Sequence, residues 1–100
     1  MSAFDEHVRR SLDELPPELA AALENVAVVV AEEDPDDPDL FGQWEARPYL
    51  PDTITIFRAP LVRAFPDPAD LEREIRITVL HELAHYFGID EDRLDELGYG

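Results

Sequence analysis

The sequence predicts an α+β fold: a small sheet of two to four strands packed against one long helix, with N-terminal helices before it and a short helix at the end. Three observations predict it. Val26-Ala27-Val28-Val29-Val30-Ala31 is dense in β-branched residues and of strand length. Thr53-Ile54-Thr55-Ile56 alternates polar and apolar side chains with the period of a strand. From Pro68 to Phe87, by contrast, apolar residues cover most of the circumference of a helix, opened by a proline and closed by Gly88.

The elements follow in order. Phe4, Val8 and Leu12 recur at helical spacing among charges, which predicts a helix over residues 4–14 that ends at Leu15-Pro16-Pro17. Pro17, suited to a first helical position, with Glu18 behind it, opens a second short helix through Leu23. The valine-rich run is then read as a buried strand. Glu32 to Asp39 is an acidic, proline-rich loop, read as a solvated tip rather than a cation site. Phe41 to Tyr49 holds a short strand or an irregular hairpin arm. The clearest strand spans Thr53–Arg58. Phe57 breaks its alternation, which predicts that the strand end is covered on both faces. Pro60 to Phe65 suits a short helical turn. Asp67 caps the long helix, and Asp90 caps a last short helix through Leu97. There are no repeats and no boundary, so residues 1–100 form a single domain.

Composition narrows the function. The chain has 24 acidic residues against 8 basic ones, all arginine, for a net charge of −16. Such a surface repels phosphate backbones and anionic lipid, so neither nucleic acid nor a membrane surface is expected as a partner. Cysteine is absent, which removes disulfides, thiolate metal sites and cysteine nucleophiles. The N-terminus lacks the basic and apolar regions of a signal peptide, and no apolar run is long enough to span a bilayer, so the expected location is cytoplasmic.

One string carries chemistry: His81-Glu82-Leu83-Ala84-His85. Two histidines four apart lie one turn above each other on a helix, where both imidazoles can ligate one zinc ion. The intervening Glu82 is placed to accept a proton from a water on that zinc, as a general base. Glu74, Thr78, His81, Glu82 and His85 share one arc of the long helix, and nearly all the remaining circumference carries apolar side chains, so the polar arc needs a metal or a cleft open to water. A third protein ligand is required. Glu91, three residues past Gly88, is the first candidate, since in metzincin-like sites the glycine breaks the helix and the residue three beyond it turns back to the metal. Asp90 and Asp92 flank it as alternatives, beside a water or a distant residue, and all three acids also suit the positive start of the last helix.

With those residues placed, the chain resembles the small bacterial zincin-like metallopeptidase family. The similarity runs through Leu23–Val30, Leu50–Arg58, Thr78–Ile89 and Arg93–Tyr99. The resemblance implies His81 and His85 as zinc ligands, Glu82 as catalytic base, and a minimal zincin fold of a few helices against a small sheet. Family members often carry Asp where this chain has Glu91. Against full-sized metzincins, the single methionine is Met1, so no methionine turn underlies the metal, and only Gly100 is left after Tyr99, itself a conceivable oxyanion donor or a packing residue. Two functions are therefore expected. One is a zinc-dependent metallopeptidase, a hydrolase acting on a peptide or protein substrate aligned along an exposed edge of the Thr53–Arg58 strand. The alternative is a non-catalytic metal-binding or protein-interaction module that retains the site.

Overall fold

A computed structural model describes residues 3–87, the side chains of residues 85–87 excepted, together with Asp92 and Glu96. The elements run α1 (Ala3–Asp13), α2 (Pro17–Ala22), β1 (Val26–Ala31), β2 (Gly42–Glu45), β3 (Asp52–Phe57), α3 (Arg58–Ala64) and α4 (Pro68–Phe87). The three strands form one sheet in the order β1-β3-β2, with β1 parallel and β2 antiparallel to β3. The expected final helix lies mainly outside the described residues. No described helix is long and apolar enough to cross a membrane.

The long helix forms for the reasons its sequence offers. Asp67 accepts the backbone N–H groups of Ala69 (2.9 Å) and Asp70 (3.3 Å) at one side-chain oxygen, which satisfies two of the donors a helix start leaves orphaned. Pro68, at the first position, has no such donor to lose. Leu71, Ile75, Val79, Leu80 and Leu83 of α4 are buried and meet Ile54 and Ile56 of β3, Leu61 of α3, and Phe4 and Val8 of α1 in a single core.

β3 occupies the centre of this sheet. Thr53, Ile54, Ile56 and Phe57 are all buried, so the break in alternation at Phe57 does mark a strand end covered on both faces. Two expectations are corrected here. The valine run is an edge strand rather than a buried one, with Val29 and Val30 exposed by 43% and 38%, because among the described residues β1 pairs only with β3 and half of its side chains are exposed. β-Branched density reports the ease of adopting extended backbone, not depth. Conversely, the Thr53–Arg58 strand offers no free edge for a peptide, since β1 and β2 take both sides of it. The turn expected over Pro60–Phe65 is a seven-residue helix starting two residues earlier, at Arg58. Pro60 falls in its first turn, where a missing N–H costs nothing.

α1 braces the side of α4 that faces away from the motif. Ser11, fully buried, donates from its hydroxyl to the carbonyl oxygens of His7 (2.6 Å) and Glu72 (3.0 Å), tying the two helices together. Half-buried His7 contacts the Glu72 carboxylate at 2.9 Å, and Arg76 donates to Glu14 at 2.7 Å.

On the surface, Arg58 binds the Glu32 carboxylate through both Nε (2.8 Å) and its terminal nitrogen, joining the end of β1 to the start of α3. The hydrogen bond from Arg58 holds the Glu32 carboxyl below its ordinary range, with the guanidinium charge adding to it against partial desolvation. A carboxyl lowered on folding stabilises above its unfolded value, and that contribution is lost as pH falls through the folded one. Glu32→Gln should accordingly lower the melting temperature slightly at neutral pH, and the difference should vanish in acid below the ordinary carboxylate range. Parallel thermal melts of the two proteins across pH measure it. A difference that grew in acid would refute the pairing.

Candidate metallopeptidase site

The motif lies in the last two turns of α4. Leu80 just before it and Leu83 within it are fully buried, and they fix the rotation of the helix about its axis. That rotation leaves His81 exposed and Glu82 half-buried on the outer wall. Both line one open cleft of about 440 Å³, together with Glu74 and Thr78 of the same helix. Four of the five residues of the polar arc, Glu74, Thr78, His81 and Glu82, therefore line a physical wall. The arc's need for water or metal is met by an opening, so the conflict between polar groups and an otherwise buried helix disappears.

The opposite wall comes from the chain between β1 and β3. Asp37, Asp39, Leu40, Phe41 and Gly42 face α4 across the cleft. The acidic loop is not a loose tip. Asp34 accepts the N–H groups of Asp36 (2.7 Å) and Asp37 (3.1 Å), Leu40 donates to the Asp37 carbonyl (3.1 Å), and Arg63 donates to the Pro38 carbonyl (3.1 Å). Phe41 then packs edge-to-face on Phe65 with ring centroids 5.9 Å apart, and its carbonyl accepts the N–H of Phe57. Sequence reasoning assigned these acids to a solvated loop. Asp34 is half-buried and the others are exposed, and Asp37 and Asp39 also line the cleft beside the motif.

Gly42 is the closest point between the walls. A Cβ there would lie 2.6 Å from the Thr78 methyl, 3.2 Å from the Thr55 carbonyl oxygen and 4.0 Å from Cγ of Glu82. Thr78 cannot swing aside cheaply, because it is β-branched, buried, and anchored by its hydroxyl to the Glu74 carbonyl at 2.8 Å. Glycine is thus what allows β2 to sit against the helix one turn before the motif. A glycine inside a short strand signals close approach of another backbone or helix, and that signal was present in the sequence. Gly42→Ala should destabilise the fold by about 1–3 kcal/mol through overpacking. Thr78→Ser, which removes the methyl and keeps the hydroxyl, should restore a large part of that loss. Denaturant melts of the two single variants and the double one decide it, and simple addition of the two losses would refute the contact.

Of the residues expected to act, the structure brings His81 and Glu82 to the same wall. No hydrogen bond or ion pair among the described residues engages the His81 imidazole or the Glu82 carboxylate. His85 lies one turn further along α4, on the same helix face by its spacing, but its side chain is not among those described. Glu91, Asp90 and Tyr99 lie outside the described residues, and Asp92 is exposed. No group of three metal-capable side chains occurs among the described residues. The donors that are described nonetheless suit zinc: a solvent-facing imidazole without a competing partner, beside a carboxylate and with no thiolate in the chain.

These features can be set beside known families. A model of the zincin-like metallopeptidase family matches residues 23–100, which takes in the sheet, the cleft and α4 but leaves α1 and α2 outside the match. A search of curated proteins returned no match. The matched segment spans most of the chain and includes both walls of the cleft, and zinc is the metal such families typically bind: this chain belongs to the zincin-like metallopeptidase family.

Proposed function

We propose that the protein is a zinc-dependent peptidase in which His81, His85 and Glu91 hold the metal and Glu82 is the general base. The observation that carries this reading is the shared cleft: His81 and Glu82 stand on one wall of an opening large enough for a peptide segment, with a strand on the other side. Zinc, when bound, supplies Lewis acidity toward a water and toward the scissile carbonyl. Glu82 accepts a proton from the attacking water at its carboxylate and returns it to the leaving amine. Its half-buried position limits competing solvent without sealing the site.

Peptide alignment falls to β2 instead of β3. β2 lies at the rim of the β1-β3-β2 sheet, and its first residue lines the cleft. An extended peptide seated in the cleft would pass Gly42 on one side and the motif on the other.

The test is cleavage of a mixed peptide library by the zinc-loaded full chain, followed by mass spectrometry, with and without a chelator. Discrete products that vanish on chelation and return with zinc support the reading. No cleavage by zinc-loaded protein overturns it. The third ligand has its own test. Glu91→Ala should weaken zinc binding at least about tenfold, whereas Glu91→Asp should keep much of it, because zinc–oxygen distances of about 2.0–2.2 Å tolerate a carboxylate but not its loss. Asp90→Asn, which keeps a side-chain oxygen of equal capping strength, should leave zinc binding nearly unchanged. Competition with a zinc-responsive dye ranks the three variants, and a critical Asp90 beside a dispensable Glu91 would place the ligand one residue earlier.

A further inference from the structure

The lining of the cleft has a chemistry of its own that the peptidase mechanism does not use. Leu40, Phe41 and Ile77 give it an apolar surface, while Asp37 and Glu74 bring carboxylates from opposite walls, and no lysine or arginine lines it among the described residues. Asp39 also faces the cleft, but Arg63 lies 3.7 Å from its carboxylate and partly neutralises it. No ion pair among the described residues engages Asp37 or Glu74. A cleft with an apolar stem region and unneutralised carboxylates matches one kind of peptide side chain, a long aliphatic stem ending in a cation.

We propose that this cleft binds a lysine or arginine side chain of the substrate, with Asp37 and Glu74 recognising the charged head. The proposal rests on the peptidase reading for its site and names the substrate class of that site. Spacing supports it. Glu74 precedes His81 by seven residues, about 10 Å along the helix axis, so the cation sits well away from the position where metal charge would repel it. A basic side chain beside the scissile bond can span that separation when extended. The volume of about 440 Å³ lies within the usual range for a side-chain or small-ligand pocket.

The net charge of −16 would draw any basic peptide, so the test must separate this cleft from the general field. The probe is a pair of peptides identical except for arginine or citrulline, which share shape and differ in charge. Binding to the zinc-loaded Glu82→Gln chain is measured by fluorescence anisotropy at low and high salt, and cleavage by the wild type is measured in parallel. The arginine peptide should bind about fivefold to tenfold more tightly, with the preference shrinking as salt rises. Asp37→Asn with Glu74→Gln should bring the ratio close to one. Asp13→Asn with Glu24→Gln, an equal loss of charge at residues that do not line the cleft, should leave it unchanged. Equal binding of the two peptides overturns the proposal, and so does an arginine preference that survives the cleft variant. An intact preference in a chain that cleaves neither peptide would instead reject the peptidase reading and keep the cationic site. Cleavage of both peptides at equal rates with equal binding would do the reverse.

Discussion

Glu82→Gln is expected to keep zinc and to lose roughly 10²–10⁴-fold in turnover. Glutamine has the size and nearly the shape of glutamate, so the half-buried side chain near Gly42 meets the same neighbours. It differs in being neutral and unable to accept a proton, and a proton acceptor is what hydrolysis asks of this position. Two measurements separate the possible roles. Metal content by mass spectrometry tells whether residue 82 is a ligand, and kcat/KM on a peptide identified by the library screen tells whether it is the base. Loss of zinc together with activity would move Glu82 into the coordination sphere. Retained activity would show that another group takes the proton. The expected split, metal kept and turnover lost, is produced only by a residue that acts on water without holding the metal.

The helical half of this fold was legible in the sequence because its signals are local. Asp67, Pro68 and the apolar girdle of α4 each act within a few residues, and the helix runs from Pro68 to Phe87 as they dictate. The strands were legible as strands, but not their places. Val26–Ala31 and Thr53–Arg58 differ little in local preference, and which one lies centrally depends on pairing over about twenty-five residues of intervening chain. Only the antiparallel strand β2, from a stretch read as a short strand or hairpin arm, puts β3 in the middle and β1 at the edge. That error put an exposed edge on a strand that has none. The site divides the same way. Histidines four apart on one helix are a local pattern, so His81 and Glu82 could be named at once. Asp37, Phe41 and Gly42 lie about forty residues away and meet them only through the β2–α4 packing. Nothing in an acidic loop says what it faces, although a strand glycine does say that something stands close.

His81→Ala and His85→Ala should each abolish zinc binding at micromolar metal, and the apo protein gives the means to know why. His81 is exposed and, among the described residues, has no hydrogen bond to lose, while alanine is the best helix former. The apo form of His81→Ala should then melt at the wild-type temperature or slightly above it. Zinc adds stability as RT ln(1 + [L]/Kd), about 2.7 kcal/mol when free metal is a hundred times the dissociation constant, and this increment appears only where the native state binds. The wild type should gain several degrees on addition of zinc at roughly that excess, and His81→Ala should gain none. The pattern distinguishes a lost ligand from a damaged fold, because damage would lower the apo melting temperature as well. A wild type that shows no zinc-dependent rise, with no zinc bound after reconstitution, would remove the metal from the site. An undiminished rise in both variants would show that the metal binds elsewhere on this acidic surface, where adventitious carboxylate sites are unaffected by either histidine.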